Sequence, residues 1–310
     1  MKILITGGAG YIGSVLIPIL LEKKFELTIL DNFLFKQSFL FKHNNLKLIE
    51  GDVRDKKLMN NIFKEDFDYV IPLAGLVGAP LCEQKPDEAR DVNEYAADHL
   101  CKNTDINTKI IVPTSNSGYG IGKKNIYCTE ESPLNPISIY GVTKVNAEKL
   151  ILSRGNSISL RLATVFGISN RMRLDLLVNH FVYKALKYQK IEIFEGDFKR
   201  NYVSVKDVAR AFLFCIENFE KLKNNIYNFG LEDVNLTKIE LAKKIKEQLL
   251  DFDYILNNNQ QDPDKRDYIV SNEKILKTGF KFQNSIESGI KELINKSIHK
   301  LDYSQCSNID

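Results

Sequence analysis

The chain has 310 residues, 44% hydrophobic and 27% charged, which suits one large or two modest globular domains. Its net charge of +3, with Lys and Arg spread along the chain, gives no reason to expect a nucleic-acid partner. No apolar run approaches the ~20 residues of a membrane helix, and Met1–Thr6 lacks the features of a signal peptide, so neither a membrane nor export is expected.

Apolar runs of about five residues at 2–6, 26–30, 46–50, 69–73, 109–113 and 157–161 read as buried parallel strands. Helix-like segments at 12–23, 86–101 and 140–154 fall between them. Strand and helix alternating with short connections predicts an α/β fold with a doubly wound parallel sheet. Beyond Gly167 the alternation breaks down. One helix is expected over 171–188, an amphipathic one over 238–250 and a third over 285–295. Strand-like runs at 190–194, 201–205 and 225–229 complete what reads as a smaller mixed α/β lobe. The predicted boundaries are 1–166 for a cofactor domain and 167–310 for a substrate-binding lobe, with segments near 201–218 returning to the first. The last ten or so residues are polar and are expected to fray.

The first strand runs into Gly7-Gly8-Ala9-Gly10-Tyr11-Ile12-Gly13 and then a helix. Glycines spaced GxxGxxG between a strand and a helix let the chain turn sharply, let backbone approach a pyrophosphate and bring helix and strand close. Asp31, 18 residues beyond Gly13, ends the second strand. An acid near that offset accepts hydrogen bonds from ribose hydroxyls and repels a 2′-phosphate, which favours NAD over NADP. Asn32 follows it, and Asp52-Val53 after the third strand is expected at the adenine. Leu73, Ala74 and Gly75, leaving the fourth strand, are expected at the nicotinamide ribose, with Val77 and Gly78 beyond them toward the substrate.

Tyr140 and Lys144 lie four apart at the start of a predicted helix and so share a face. A phenol titrates near 10 and is a poor base at neutral pH unless a neighbouring cation lowers that value. Ser115, at the end of the fifth strand, is placed to bond the oxygen that Tyr140 deprotonates. Five scattered cysteines without a CxxC pair fit reduced thiols and a cytoplasmic setting. The four histidines have no metal spacing, and no metal is expected.

TGGAGYIG, the Asp31 strand end, GDV, TSNSGYG, YGVTK and the stretch RNYVSVKDVA from Arg200 resemble the extended short-chain dehydrogenases/reductases, in the nucleotide-sugar epimerase/dehydratase branch. The resemblance implies an NAD-binding Rossmann domain with a smaller substrate lobe and a catalytic set of Ser115, Tyr140 and Lys144. It also implies a homodimer built on the helices near 86–101 and 140–154. Arg171, Arg173, Arg200 and Arg266 lie in or near segments that line the substrate cleft in relatives, and Asn179 matches a nucleotide-touching position. Arginine suits bidentate phosphate contact.

The shared first step in that branch is removal of the sugar 4-hydroxyl proton while C4 gives hydride to NAD. The 4,6-dehydratases carry an Asp-Glu pair where this chain has Asn116 and Ser117, which have no acid–base capacity near neutral pH. Dehydration is therefore not expected, and both residues are assigned to substrate binding. PTSNSGYGIG, CTEESPLNPIS, RLATVFGISNRMRLDLLVN and DPDKRDY resemble the GDP-heptose 4-dehydrogenases of bacterial capsule pathways. That resemblance implies oxidation of GDP-D-glycero-D-manno-heptose, with tightly held NAD recycled by 2-oxoglutarate. The alternatives are a nucleotide-sugar 4-epimerase and, from another class, a non-catalytic NAD-binding scaffold or sensor.

Overall fold

The structure is a computed structural model that describes residues 1–35, 42–232, 234–257 and 266–309. Seven strands form the main sheet: β1 (Lys2–Thr6), β2 (Glu26–Asp31), β3 (Leu46–Glu50), β4 (Tyr69–Pro72), β5 (Lys109–Ser115), β6 (Ser157–Leu162) and β7 (Asn225–Phe229). All pair in parallel, in the order β7-β6-β5-β4-β1-β2-β3. The strand order reverses between β1 and β4, and ligands of such sheets bind at the carboxyl ends of the strands beside that reversal.

The double winding is visible in β1 itself. Ile3 and Ile5 face Leu16, Ile17 and Leu20 of the helix Gly13–Glu22 and Val208 and Phe212 of Val205–Glu217. Leu4, on the other face, packs with Met59, Leu100 and Ile151 from three further helices. A strand covered by helices on both sides must be apolar on both, so it reads as a continuous run rather than an alternation.

A second core lies around Phe166, Tyr202, Leu174, Val178, Leu241 and Ile290. It is built on a three-stranded sheet, Asn235–Thr237, Lys199–Ser204 and Thr164–Phe166, and on the helices Leu177–Tyr188, Lys238–Lys246 and Ile286–Asn295. The last two helices open with capping boxes, Thr237 with Glu240 and Ser285 with Ser288. Tyr11 ties the glycine loop to this core, its hydroxyl donating to the Gly167 carbonyl at 2.7 Å.

Four expectations are corrected. Asn225–Phe229, expected in the lobe, is the outer strand of the main sheet, because its register with β6 buries Tyr227 and Phe229 in the large core. The helix expected over 171–188 starts only at Leu177. Residues 171–176 turn instead, with Arg171 and Arg173 buried and the Leu174 N–H bonded to the Cys306 carbonyl. The helix expected over 86–101 is broken by a π-turn at Asp91–Tyr95. Part of the C-terminal stretch expected to fray is packed: Tyr303 lies against Tyr183 and bonds His180, and Ser307 is buried, while Leu301, Asp302, Ser304 and Gln305 are exposed. Residues 262–265 of DPDKRDY lie outside the described residues. Among the described residues no helix is long and apolar enough to cross a membrane.

Candidate active site

One cleft runs across the carboxyl ends of β2, β1, β4 and β5. Its floor is the glycine loop: Gly7, Gly10, Tyr11, Ile12 and Gly13 all line it. Gly7 has φ +69°, and a Cβ there would strike the Ala74 backbone. A Cβ on Gly13 would collide with the carbonyl of Gly8. These glycines are demanded by backbone passing backbone, which leaves room for a pyrophosphate over the loop.

Asp31 fixes that loop as well as facing the cleft. One carboxylate oxygen accepts from the Ala9 N–H and the other from the Phe33 N–H, both at 2.9 Å. Burial raises the Asp31 carboxyl above its ordinary value, and the two N–H donors oppose that rise. Asn32, Asp52 and Val53 line the same end. Asp52 is gripped by both forks of Arg54 and by the Asn32 amide. The Arg54 hydrogen bonds hold its carboxyl at about 2. Leu73, Ala74, Gly75, Val77 and Gly78 form the next stretch of wall. The cleft thus offers a backbone cradle and, at the end of β2, a buried acid, in the order a dinucleotide needs, and these residues fit NAD.

Ser138 caps the helix Ile139–Arg154, accepting from the Gly141 N–H at 3.1 Å. The cap places Tyr140 in the first turn and Lys144 one turn on, and both line the cleft beside Ser115. Two donors from Ser117, its N–H at 3.1 Å and its hydroxyl at 2.9 Å, hold the Ser115 oxygen. Burial lowers the Lys144 ammonium to about 8. Burial raises the Tyr140 phenol, while Arg266, the Ser115 hydrogen bond and Arg173 pull it down. Gly75 lets the wall approach this group, since a Cβ there would lie 3.2 Å from Lys144 Nζ.

Asn93, which sequence reasoning missed, sets that approach. Its amide accepts from the Leu76 N–H and donates to the Leu76 carbonyl and the Thr143 hydroxyl. It thereby locks the β4 loop to the helix carrying Tyr140 and Lys144. Its signal in the sequence was a polar residue on the inner face of the helix at 86–103, in the turn that becomes π. Also missed was the frame beneath that helix. Glu148 accepts from Arg161 Nη2 at 2.6 Å, Ser159 at 2.7 Å and Thr114 at 2.9 Å, all buried. The pair shows in the sequence only as two charges on segments that otherwise read as core.

On the opposite wall stand Arg171, Arg173 and Arg266, with Thr164 below. Arg173 is paired with Asp175. Arg171 gives its hydrogen bonds to Met172, Ser307 and Asn308 and lies 4.3 Å over the Phe35 ring. Its desolvation lowers it to about 10, still cationic at neutral pH.

Four expected substrate residues do not line the cleft. Asn179 is fully buried and spends its amide on the Gly167 N–H, the Tyr11 hydroxyl and the Arg173 carbonyl. Arg200 is buried at the lobe sheet and donates to the Lys199 carbonyl. Asn116 and Ser117 are 1% exposed, behind Ser115. Asn179 sits in the helix Leu177–Tyr188, Arg200 in the lobe strand Lys199–Ser204, and Asn116 and Ser117 in the tight turn after β5; none of these stretches borders the cleft.

Residues 3–230 match the NAD dependent epimerase/dehydratase family. A UDP-glucose 4-epimerase of Lactobacillus helveticus is 30% identical over 271 residues, 79% of this chain and 82% of that protein. A dTDP-D-glucose 4,6-dehydratase of Dictyostelium discoideum is 30% identical over 272 residues, 79% of this chain but 61% of that longer protein. The crystal structure of Thermotoga maritima UDP-glucose 4-epimerase with UDP-glucose superposes with a TM-score of 0.84 at 26% identity, covering 95% of this chain and 98% of that one. The cleft and these matches agree: the chain is an enzyme of the NAD dependent epimerase/dehydratase family, with NAD as its cofactor.

Proposed function

We propose that the chain oxidises C4 of a nucleoside-diphosphate sugar and returns the hydride to the other face of the ketone, as a nucleotide-sugar 4-epimerase. The observation that carries this reading is Ser115, Tyr140 and Lys144 on one cleft with the glycine loop and Asp31, opposite a wall of guanidinium groups. NAD bound in the cleft supplies the acceptor for the C4 hydride. Tyr140 takes the 4-hydroxyl proton and gives it back in the reverse half. Lys144 stabilises the phenolate by its charge, and Ser115 orients the substrate oxygen. Arg171, Arg173 and Arg266 attract the diphosphate. Elimination of water is disfavoured because Asn116 and Ser117 carry no acid–base group and lie behind Ser115. In the cell we place the enzyme in the cytoplasm as a homodimer, through the helix faces near 86–103 and 139–154, where Tyr95 is exposed.

A second reading is favoured by one observation. The stretch 161–179, which resembles the GDP-heptose 4-dehydrogenases, supplies Thr164, Arg171 and Arg173 to the substrate wall. In that reading the substrate is GDP-D-glycero-D-manno-heptose. The sugar stays at the ketone, and the hydride passes from the cofactor to 2-oxoglutarate, with a proton, to give 2-hydroxyglutarate.

Incubation with UDP-glucose and with the GDP-heptose, each with and without 2-oxoglutarate and followed by NMR, separates the two. A C4 epimer formed without 2-oxoglutarate supports the epimerase; 2-hydroxyglutarate formed with a 4-keto sugar supports the dehydrogenase. Tyr140→Phe is expected to lower either activity by roughly 10²–10⁴ while NAD stays bound. Undiminished turnover by that variant overturns both readings.

A further inference from the structure

The C-terminal segment bridges the two walls of the cleft. The Leu174 N–H donates to the Cys306 carbonyl at 2.6 Å, fastening the segment to the arginine-bearing loop. Ile309 packs on the cluster of Leu76, Leu81 and Cys82, fastening it to the loop that leaves β4. Between these anchors, the Ser307 hydroxyl accepts from the Ile309 N–H at 3.0 Å and turns the chain so that Asn308 lines the cleft.

The two ends of the Asn308 amide are in different states. Its oxygen accepts from Arg171 Nη2 at 2.7 Å, a charge-assisted bond of good length. Its nitrogen donates to the Val77 carbonyl at 3.4 Å, near the limit for a hydrogen bond. An amide nitrogen has two donors, and the bond to Val77 takes one of them, which leaves the other for a group in the cleft between the cation at Arg171 and the β4 loop beside Tyr140. A nucleotide sugar laid with its diphosphate toward the arginines and its C4 at Tyr140 brings its sugar hydroxyls across this position.

We propose that Asn308 is a specificity-determining residue whose side-chain nitrogen donates to a sugar hydroxyl of the substrate, and that its neighbours Cys306, Ser307 and Ile309 anchor it in the sugar subsite. This rests on the nucleotide-sugar reading of the cleft. Nothing in the glycine loop or the YxxxK motif points to it.

The test is calorimetric titration of the NAD-loaded parent and Asn308→Ala proteins with UDP, UDP-glucose, GDP and GDP-D-glycero-D-manno-heptose. For the sugar nucleotide that the parent binds, the ratio of its affinity to that of the bare diphosphate should fall about tenfold or more in the variant. The bare diphosphate itself should bind within threefold of the parent. If both affinities weaken in parallel, Asn308 only props Arg171 and the proposal is overturned. It is also overturned if the variant binds both as the parent does. A parent that binds no sugar nucleotide overturns the nucleotide-sugar reading itself, so the two failures are distinguishable. Retention of NAD by the variant shows that it has folded.

Discussion

The wall of the cleft at the glycine-loop end is mostly main chain, whereas the other wall is guanidinium and amide groups from segments far apart in sequence. Gly7, Gly13 and the β4 loop meet backbone to backbone, and a single carboxylate, Asp31, reaches 22 residues back to hold the loop. Opposite it, Arg171 meets Asn308 across 137 residues and Arg266 comes from a third segment. A backbone wall has one shape for all members of a fold. A side-chain wall can be rebuilt by substitution, so the same cofactor chemistry can serve different sugars.

If the arginine-bearing wall and the helix that carries Tyr140 depend on buried side-chain networks, breaking one should cost more than trimming the glycine-loop wall. Glu148→Ala strands the Arg161 guanidinium in the core with Thr114 and Ser159. Loss of about 3–5 kcal/mol in urea unfolding is expected. A loss below ~1 kcal/mol would mean that the frame relaxes, and the contrast between the walls would weaken.

Lys144 gives the next effect, with the opposite sign. Its folded value of about 8 lies below the ordinary 10.5. Between those pH values the folded chain therefore holds fewer protons than the unfolded chain. The parent gains stability as pH rises through that window. Below pH 8 the charge must be carried in a buried setting. Lys144→Met should thus be more stable than the parent at pH 7 by on the order of 3 kcal/mol, though inactive. The difference should vanish near pH 10.5. Denaturant midpoints at the two pH values decide it, and a variant less stable at pH 7 refutes it.

The smallest effect is expected at the glycine-loop wall. Asp31→Ala removes one charged acceptor, so NAD affinity should fall roughly 10–100-fold, with discrimination against NADP narrowing. The fold should persist because the glycine loop is still held by backbone contacts. Fluorescence titration with NADH and NADPH measures both. An unchanged preference would show that Asp31 serves the loop alone.

The contrast between the walls also explains what could be read from the chain alone. Lys2–Thr6, the GxxGxxG loop and Asp31 are contiguous or one strand–helix unit apart, so spacing carries their geometry. Tyr140 and Lys144 share a helical face by arithmetic. Asn179 and Arg200 matched segments of the right kind, yet Asn179 spends its amide inside the lobe and Arg200 is buried at the lobe sheet, outside the cleft lining. Motif position carries no information about which face of a turn is wet. Asn93 was hidden because a π-turn, invisible to helical periodicity, aims it at Leu76.

The sequence by itself determined the doubly wound sheet, the nucleotide cradle, NAD as the cofactor and the tyrosine–lysine pair. Each rests on local backbone needs or short-range periodicity. Tertiary structure alone decided that β7 joins the main sheet and which arginines face the cleft. It also decided that a polar C-terminal segment becomes part of its wall. Those outcomes depend on contacts between residues 67 to 231 positions apart, whose partners are chosen by burial and hydrogen-bond satisfaction across the whole molecule.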